Sequence, residues 1–180
     1  MCLSKWISAT LAIALFTGTV AAADTVTHGT VKAVNADNKT FVMTDSANKD
    51  HTFKIGDNLV VNRAGKESKS DLKAGDPISL SYDKGVFTWT AHYVLVQDGT
   101  FKKCELSRGN IKSYDAEKKE LTFTNEFKID TGHALGSASV RINMVDSKIG
   151  DIKIGDHALL IVNTVDGQST LRSVMVDRAK

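Results

Sequence analysis

The chain has 180 residues, of which 42% are hydrophobic and 24% charged, with a formal net charge of +2. These figures mark an ordinary folded protein of one domain or two small ones. A charge so close to zero gives no argument for a polyanionic partner.

The N-terminus differs from the rest. Lys5 precedes a largely apolar, uncharged run from Trp6 to Val20, followed by Ala21-Ala22-Ala23 and Asp24. A short positive region, an apolar stretch and small residues form the layout of a secretory signal peptide over residues 1–23. The apolar run is shorter than the ~20 residues of a membrane-spanning helix, so cleavage at or near Ala23 is expected rather than anchoring. Removing it leaves 180 − 23 = 157 residues and, with Lys5 gone, a charge of +2 − 1 = +1. No later segment has the length and apolarity of a membrane helix, so the expectation is a periplasmic or secreted protein without a stable membrane span. Cys2 leaves with the signal. Cys104 is then alone, either as a free thiol or paired between chains.

Short alternating segments follow. Val26–Val34 reads as a strand, with Gly29 marking a bulge or bend. Thr40–Thr44 and His51–Ile55 alternate, placing Phe41, Met43, Phe53 and Ile55 inward. Gly56-Asp57-Asn58 reads as a turn before a short strand at Leu59–Val61. Residues 63–74 and 144–153 could each hold one helical turn. Ile78–Tyr82, a reversal at Asp83-Lys84-Gly85, and a last strand beginning at Val86 or Phe87 and ending at Val96 complete a first module, residues 24–100. No amphipathic helix is evident, and polar turns separate the strands throughout.

The phrase Asp71-Leu72-Lys73-Ala74-Gly75-Asp76-Pro77-Ile78 returns as Asp151-Ile152-Lys153-Ile154-Gly155-Asp156-His157-Ala158, 151 − 71 = 80 residues later. At the same offset Gly109 answers Gly29, Val140 answers Val60, and Val174 and Val176 answer Val94 and Val96. The shared positions are turn glycines and inward apolar residues, so residues 101–180 read as a second β module. Each is small enough to be marginal alone. The expected fold class is all-β: two tandem small OB-like or SH3-like barrels after a cleaved signal peptide.

Each module resembles small exported bacterial β-barrel domains of uncharacterised function. The likeness rests on Gly29-Thr30-Val31-Lys32-Ala33-Val34, Leu72-Lys73-Ala74-Gly75-Asp76 and Ala91-His92-Tyr93-Val94-Leu95-Val96. Module two departs from the pattern at Asn110-Ile111, Ile152 and Leu171. The resemblance implies a barrel topology and brings no catalytic residues, because such folds host unrelated functions.

The chemistry-bearing residues are sparse. There is no Gly-x-Ser-x-Gly elbow and no Cys/His pair in an obvious catalytic context, so the protein is expected not to be an enzyme and to carry no cofactor. Asp76 and Asp156 are expected to bond amides in their own turns rather than hold calcium. Phe87, Trp89 and Tyr93 are candidate binding residues. Phe87 and Trp89 share strand parity, and the repeat replaces them by Gly167 and Ser169, which favours a role on the outside of the sheet. His51 and His92 are candidate metal ligands if their strands pair. The leading expectation is a non-enzymatic exported binding or scaffolding protein of the bacterial envelope. The partner would be an envelope protein or glycan rather than nucleic acid, with intermolecular pairing through Cys104 possible. The alternative is a periplasmic metal-binding protein using histidines of the first module.

Overall fold

Alternating sequences can bury one face only if the sheet curls or packs, and here it does both. The computed structural model describes residues 24–178; the segment read as a signal peptide lies outside them. The first barrel uses β1 (Asp24–Asn35), β2 (Thr40–Asp45), β3 (Asp50–Arg63), β4 (Lys66–Ser68), β5 (Pro77–Lys84) and β6 (Trp89–Val96). Its long strands pair in the cyclic order β1-β2-β3-β6-β5 and back to β1, antiparallel except where β3 meets β6. This is a five-stranded closed Greek-key order, which decides for the OB-like alternative. Closure leaves the long strands no free edge, while β4 forms a short hairpin on β3.

The second barrel repeats the plan with β7 (Cys104–Asp115), β8 (Glu120–Asn125), β9 (Asp130–Ala134), β10 (Ser139–Ile142), β11 (Val145–Ser147), β12 (His157–Val165) and β13 (Gln168–Val176). Gly29 opposite Asp45 becomes Gly109 opposite Asn125, and Ile78 opposite Val96 becomes Ala158 opposite Val176, each 80 residues on. The register shifts recur too, between Val31 and Ala33 and between Ile111 and Ser113. One stretch departs. Val61 faces Val94 and Ser68, whereas Val140 faces Val174 and Ser147. The counterpart of Val140 is therefore Val61, at an offset of 140 − 61 = 79, rather than Val60 as the uniform offset implies. One residue is missing between β9 and β10, where barrel two breaks the strand that barrel one runs straight through.

Other local expectations shift for identifiable reasons. Gly29 is not itself the bulge, which falls at Lys32. A Cβ at Gly29 would lie 2.3 Å from the Thr44 carbonyl oxygen, and one at Gly109 would lie 2.0 Å from that of Thr124. Glycine is needed there for close strand approach. Leu59–Val61 belongs to β3, which pairs irregularly across Gly56-Asp57-Asn58 without ending. Residues 63–74 form the β3–β4 hairpin and a turn, and 144–153 contains the short 3-10 turn Ile149–Asp151. β6 begins at Trp89, so Phe87 lies in the preceding loop.

The inward residues form one core per barrel. Phe41, Met43, Phe53, Leu80 and Val94 fill the first; Leu121, Phe123, Leu160, Leu171 and Val174 fill the second. A third cluster lies between them and explains the continuous apolar runs at 93–96 and 158–162. Alternate residues there face a barrel core and the other barrel. Tyr93, Leu95, Cys104, Leu106, Leu159, Ile161 and Met175 make this inter-barrel core, with Val26, Val60 and Phe101 at its margin. Leu106 answers Val26, and Met175 answers Leu95, so the same face of each barrel is buried against the other, as in a two-fold dimer. The Ser79 hydroxyl accepts from the Leu106 amide at 3.0 Å. Arg141 grips Glu67 through both terminal nitrogens, and that guanidinium holds the Glu67 carboxyl below its usual range.

Cys104 is fully buried in this inter-barrel core, its thiol 4.0 Å from the Thr100 carbonyl. Burial pushes its pKa up, which further disfavours the reactive thiolate. Pairing with a second chain would require the barrels to part, so the intermolecular bond considered from sequence has no accessible sulfur here.

Candidate binding site at the mouth of the first barrel

The site is built where β2, β3 and β6 meet the loop between β5 and β6. Parallel pairing of β3 with β6 sets Phe53 opposite Trp89. Antiparallel pairing of β5 with β6 brings Tyr82 opposite Ala91, one inward position along. Trp89 is thus flanked by aromatics delivered from both neighbouring strands. Its ring stacks with His51 at 5.1 Å and with Tyr82 at 5.2 Å, and Phe53 tilts against it at 5.7 Å. Lys84 Nζ sits 5.2 Å from the Trp89 ring, a cation–π arrangement.

Trp89 is accordingly half-buried, and its neighbours hold it in place. Truncation should cost more than loss of an exposed ring and less than loss of a fully buried one. Trp89→Ala is expected to lower stability by about 2–3 kcal/mol, measured by urea unfolding. A loss under ~1 kcal/mol would show that the stack contributes little.

Phe87 is the opposite case. The Gly85 amide donates to the Thr88 carbonyl at 3.1 Å, closing a tight loop. A Cβ on Gly85 would come within 2.6 Å of that oxygen. The loop lifts Val86 and Phe87 out of the sheet, leaving Phe87 96% exposed. Beside it opens a cleft of about 410 Å³, lined by Phe87 and Trp89 together with Asn38, Thr40, Thr52 and Lys54.

Tyr93 does not belong to this site. A register shift between Ser81 and Tyr82 makes His92 the extra residue of β6, so Tyr93 turns toward the second barrel. There it is buried, accepts from Asn62 Nδ2 at 2.8 Å and donates to Glu67 at 3.3 Å. Burial pushes its phenol well above the ordinary value.

The two candidate metal ligands are likewise separated. Their strands do pair, but Ile55 is opposite Ala91, which puts His51 and His92 several residues apart along the sheet. His51 Nε2 is 2.8 Å from Asp45 Oδ2 and its ring is committed to Trp89. Amides of the Asp45–Lys49 turn, and then His51, hold the Asp45 carboxyl below its usual range. His92 lines a different cleft, between the barrels, with Nε2 2.7 Å from Asp83 Oδ2 but out of hydrogen-bond alignment. Among the described residues no group of three or more His, Cys, Asp or Glu is placed to share an ion.

Asp50, which also lines the cleft, is structural. It accepts from Lys32 Nζ at 2.5 Å and Thr44 Oγ1 at 2.7 Å, and these contacts hold its pKa down. Asp130, Lys112 and Thr124 repeat the arrangement in barrel two.

The aromatic stack is not repeated. His51, Phe53, Tyr82 and Trp89 give way to Thr131, His133, Val162 and Ser169. Both ring nitrogens of His133 face hydroxyls at 2.9 Å, from Thr131 and Ser169. Substitution here is concerted: a stack of rings is replaced by a hydrogen-bonded histidine. His133 is buried, and burial lowers its pKa below the ordinary 6.5. A depressed folded-state value means the unfolded chain binds more protons as the pH falls. Its contribution is therefore full above about pH 6.5 and is lost as the pH falls through the folded value. Stability should decline between pH 7 and pH 5, and His133→Gln should flatten that slope in denaturant titrations at several pH values. An unchanged slope would remove His133 from the account.

No protein-family model matches the chain, and no curated protein matches it. Among solved structures, it is similar to a tryptophan-to-alanine variant of Escherichia coli CusF with Cu(II). That match has 16% identity and a TM-score of 0.34, covering 45% of this chain and 100% of that one. It is also similar to Drosophila Unr CSD456, at 14% identity and a TM-score of 0.30, covering 86% of this chain and 63% of that one.

Proposed function

We propose that this is an exported, non-enzymatic binding protein of the bacterial envelope whose recognition site is the mouth of the first barrel. The observation that carries this reading is Phe87, an almost fully exposed aromatic held out by a tight loop beside a cleft lined by Trp89. Phe87 and the adjacent Val86, 91% exposed, do nothing for the core, and neighbouring exposed apolar residues beside a concavity mark contact surfaces. Barrel two has Gly167 in the corresponding place. It supplies packing through the shared face, while barrel one supplies the site.

The alternative of a metal centre on His51 and His92 finds no support in the geometry, since each histidine adjoins its own aspartate in its own cleft.

Amide NMR of the full chain against protein-free soluble envelope extract tests the proposal. Expected shifts cluster at residues 38–54 and 84–89 and leave the equivalent positions 118–134 and 164–169 unmoved. Shifts confined to barrel two, or none, would overturn it.

A further inference from the structure

We infer that the cleft beside Phe87 binds a neutral carbohydrate chain, an inference that rests on the binding reading above. Three properties of the cleft select this ligand.

Most of the polar residues that line it are neutral. Thr40, Thr52 and Thr88 supply hydroxyls and Asn38 an amide. All four both donate and accept, as sugar hydroxyls do. The carboxylate present, Asp50, already accepts from Lys32 and Thr44, and Lys54 is the cation in the lining. Single-stranded nucleic acid requires a run of cations along its backbone together with stacking rings. Lys54 in the lining and Lys84 on the Trp89 ring, with Lys32 paired to Asp50, do not make such a run.

The strands around the cleft are paired on both sides. β2 is paired with β1 and β3, and β3 with β2 and β6. An extended peptide gains much of its affinity by adding a strand to an open edge, and no such edge borders this cleft. A ligand must be held by side chains alone, which suits a sugar.

The apolar residues are one fixed ring and one exposed ring. Trp89 is fixed by its stack on His51 and Tyr82, and Phe87 presents a free ring. The C–H face of a pyranose lies flat on the exposed Phe87 ring, while Trp89, its faces already against His51, Tyr82 and Lys84, borders the cleft as a fixed wall whose prior ordering lowers the cost of binding.

The test uses the full chain carrying Trp6→Phe, which leaves Trp89 as the sole tryptophan. Its fluorescence is titrated with chitotetraose, cellotetraose and maltotetraose, and separately with a deoxyoligonucleotide and a mixed tetrapeptide pool. A saturable change with at least one oligosaccharide is expected, weakened about five- to tenfold by Phe87→Ala. Phe127→Ala, which removes a 75% exposed ring from barrel two, should leave it unaltered. Both are surface changes, so folding is not at stake. If the sugars are silent while the oligonucleotide or peptides shift Trp89, carbohydrate is the wrong ligand and the binding site stands. Silence from every probe overturns the carbohydrate inference, and with the NMR experiment also blank the binding reading falls too. A sugar response equal in wild type and Phe87→Ala would place the ligand elsewhere and overturn the inference.

Discussion

Ile161→Asp is expected to uncouple the two barrels and to lower stability by about 4 kcal/mol or more. Ile161 is 1% exposed and lies in the inter-barrel core with Leu159, Met175 and Leu106. A carboxylate there must stay ionised without partners, take up a proton, or drive the faces apart. The last is easiest, because each barrel keeps its own core. Small β modules are marginal alone, so each half should then melt earlier and independently. In the chain carrying only Trp6→Phe, Trp89 fluorescence, which reports barrel one, and NMR signals of barrel two should give one coincident transition. In the variant the two should separate. Coincident transitions at an unchanged midpoint would show that the shared face contributes nothing to folding.

The shared face also marks where sequence reading stopped. Alternation located most strands because a half-buried strand carries its period in its own residues. It could not show that Leu159 and Ile161 face a second barrel, since a run buried on both sides has no period. The OB order was illegible for a similar reason. It depends on β3 lying parallel beside β6, a pairing across some thirty residues of chain that no local pattern encodes. At the site, shared parity set Phe87 and Trp89 on one strand face, but parity fails at a loop and at a bulge. The loop at Gly85–Thr88 freed Phe87, and the bulge at His92 sent Tyr93 to the opposite side. Comparing the repeats one position at a time made Ser169 look incompatible with a packed Trp89. Comparing neighbours as a set, Phe53 with His133 and His51 with Thr131, removes that objection.

Asp76→Ala is expected to cost about 2–4 kcal/mol, and the reason explains the phrase that occurs twice. In each copy the Gly, at φ +91° for Gly75 and +88° for Gly155, turns the chain so that the following Asp caps it. Asp76 accepts from the Lys73 amide at 2.7 Å, and Asp156 from the Lys153 amide at 2.7 Å. Both side chains are nearly buried, 12% and 8% exposed, and each faces a guanidinium. Arg63 reaches Asp76 at 2.5 Å and the Asp71 carbonyl at 3.2 Å. Arg178 reaches Asp156 at 2.7 Å and the Asp151 carbonyl at 2.6 Å. The same pocket is thus filled from two points of the chain: the end of β3 in one barrel, the segment after β13 in the other. The barrel-one counterpart of Arg178 is Asp98, whose carboxylate lies 3.8 Å from Arg63. Arg178 holds the Asp156 carboxyl below its usual range, so this contribution is full above about pH 3.9 and fades as the pH falls through the folded value. The arrangement gives a rescue test. Arg63→Ala should destabilise by leaving Asp76 unpaired, and adding Asp98→Arg should restore part of the loss by borrowing the second barrel's solution. Equal urea midpoints for Arg63→Ala with and without Asp98→Arg would show that the pocket does not accept an arginine from that side.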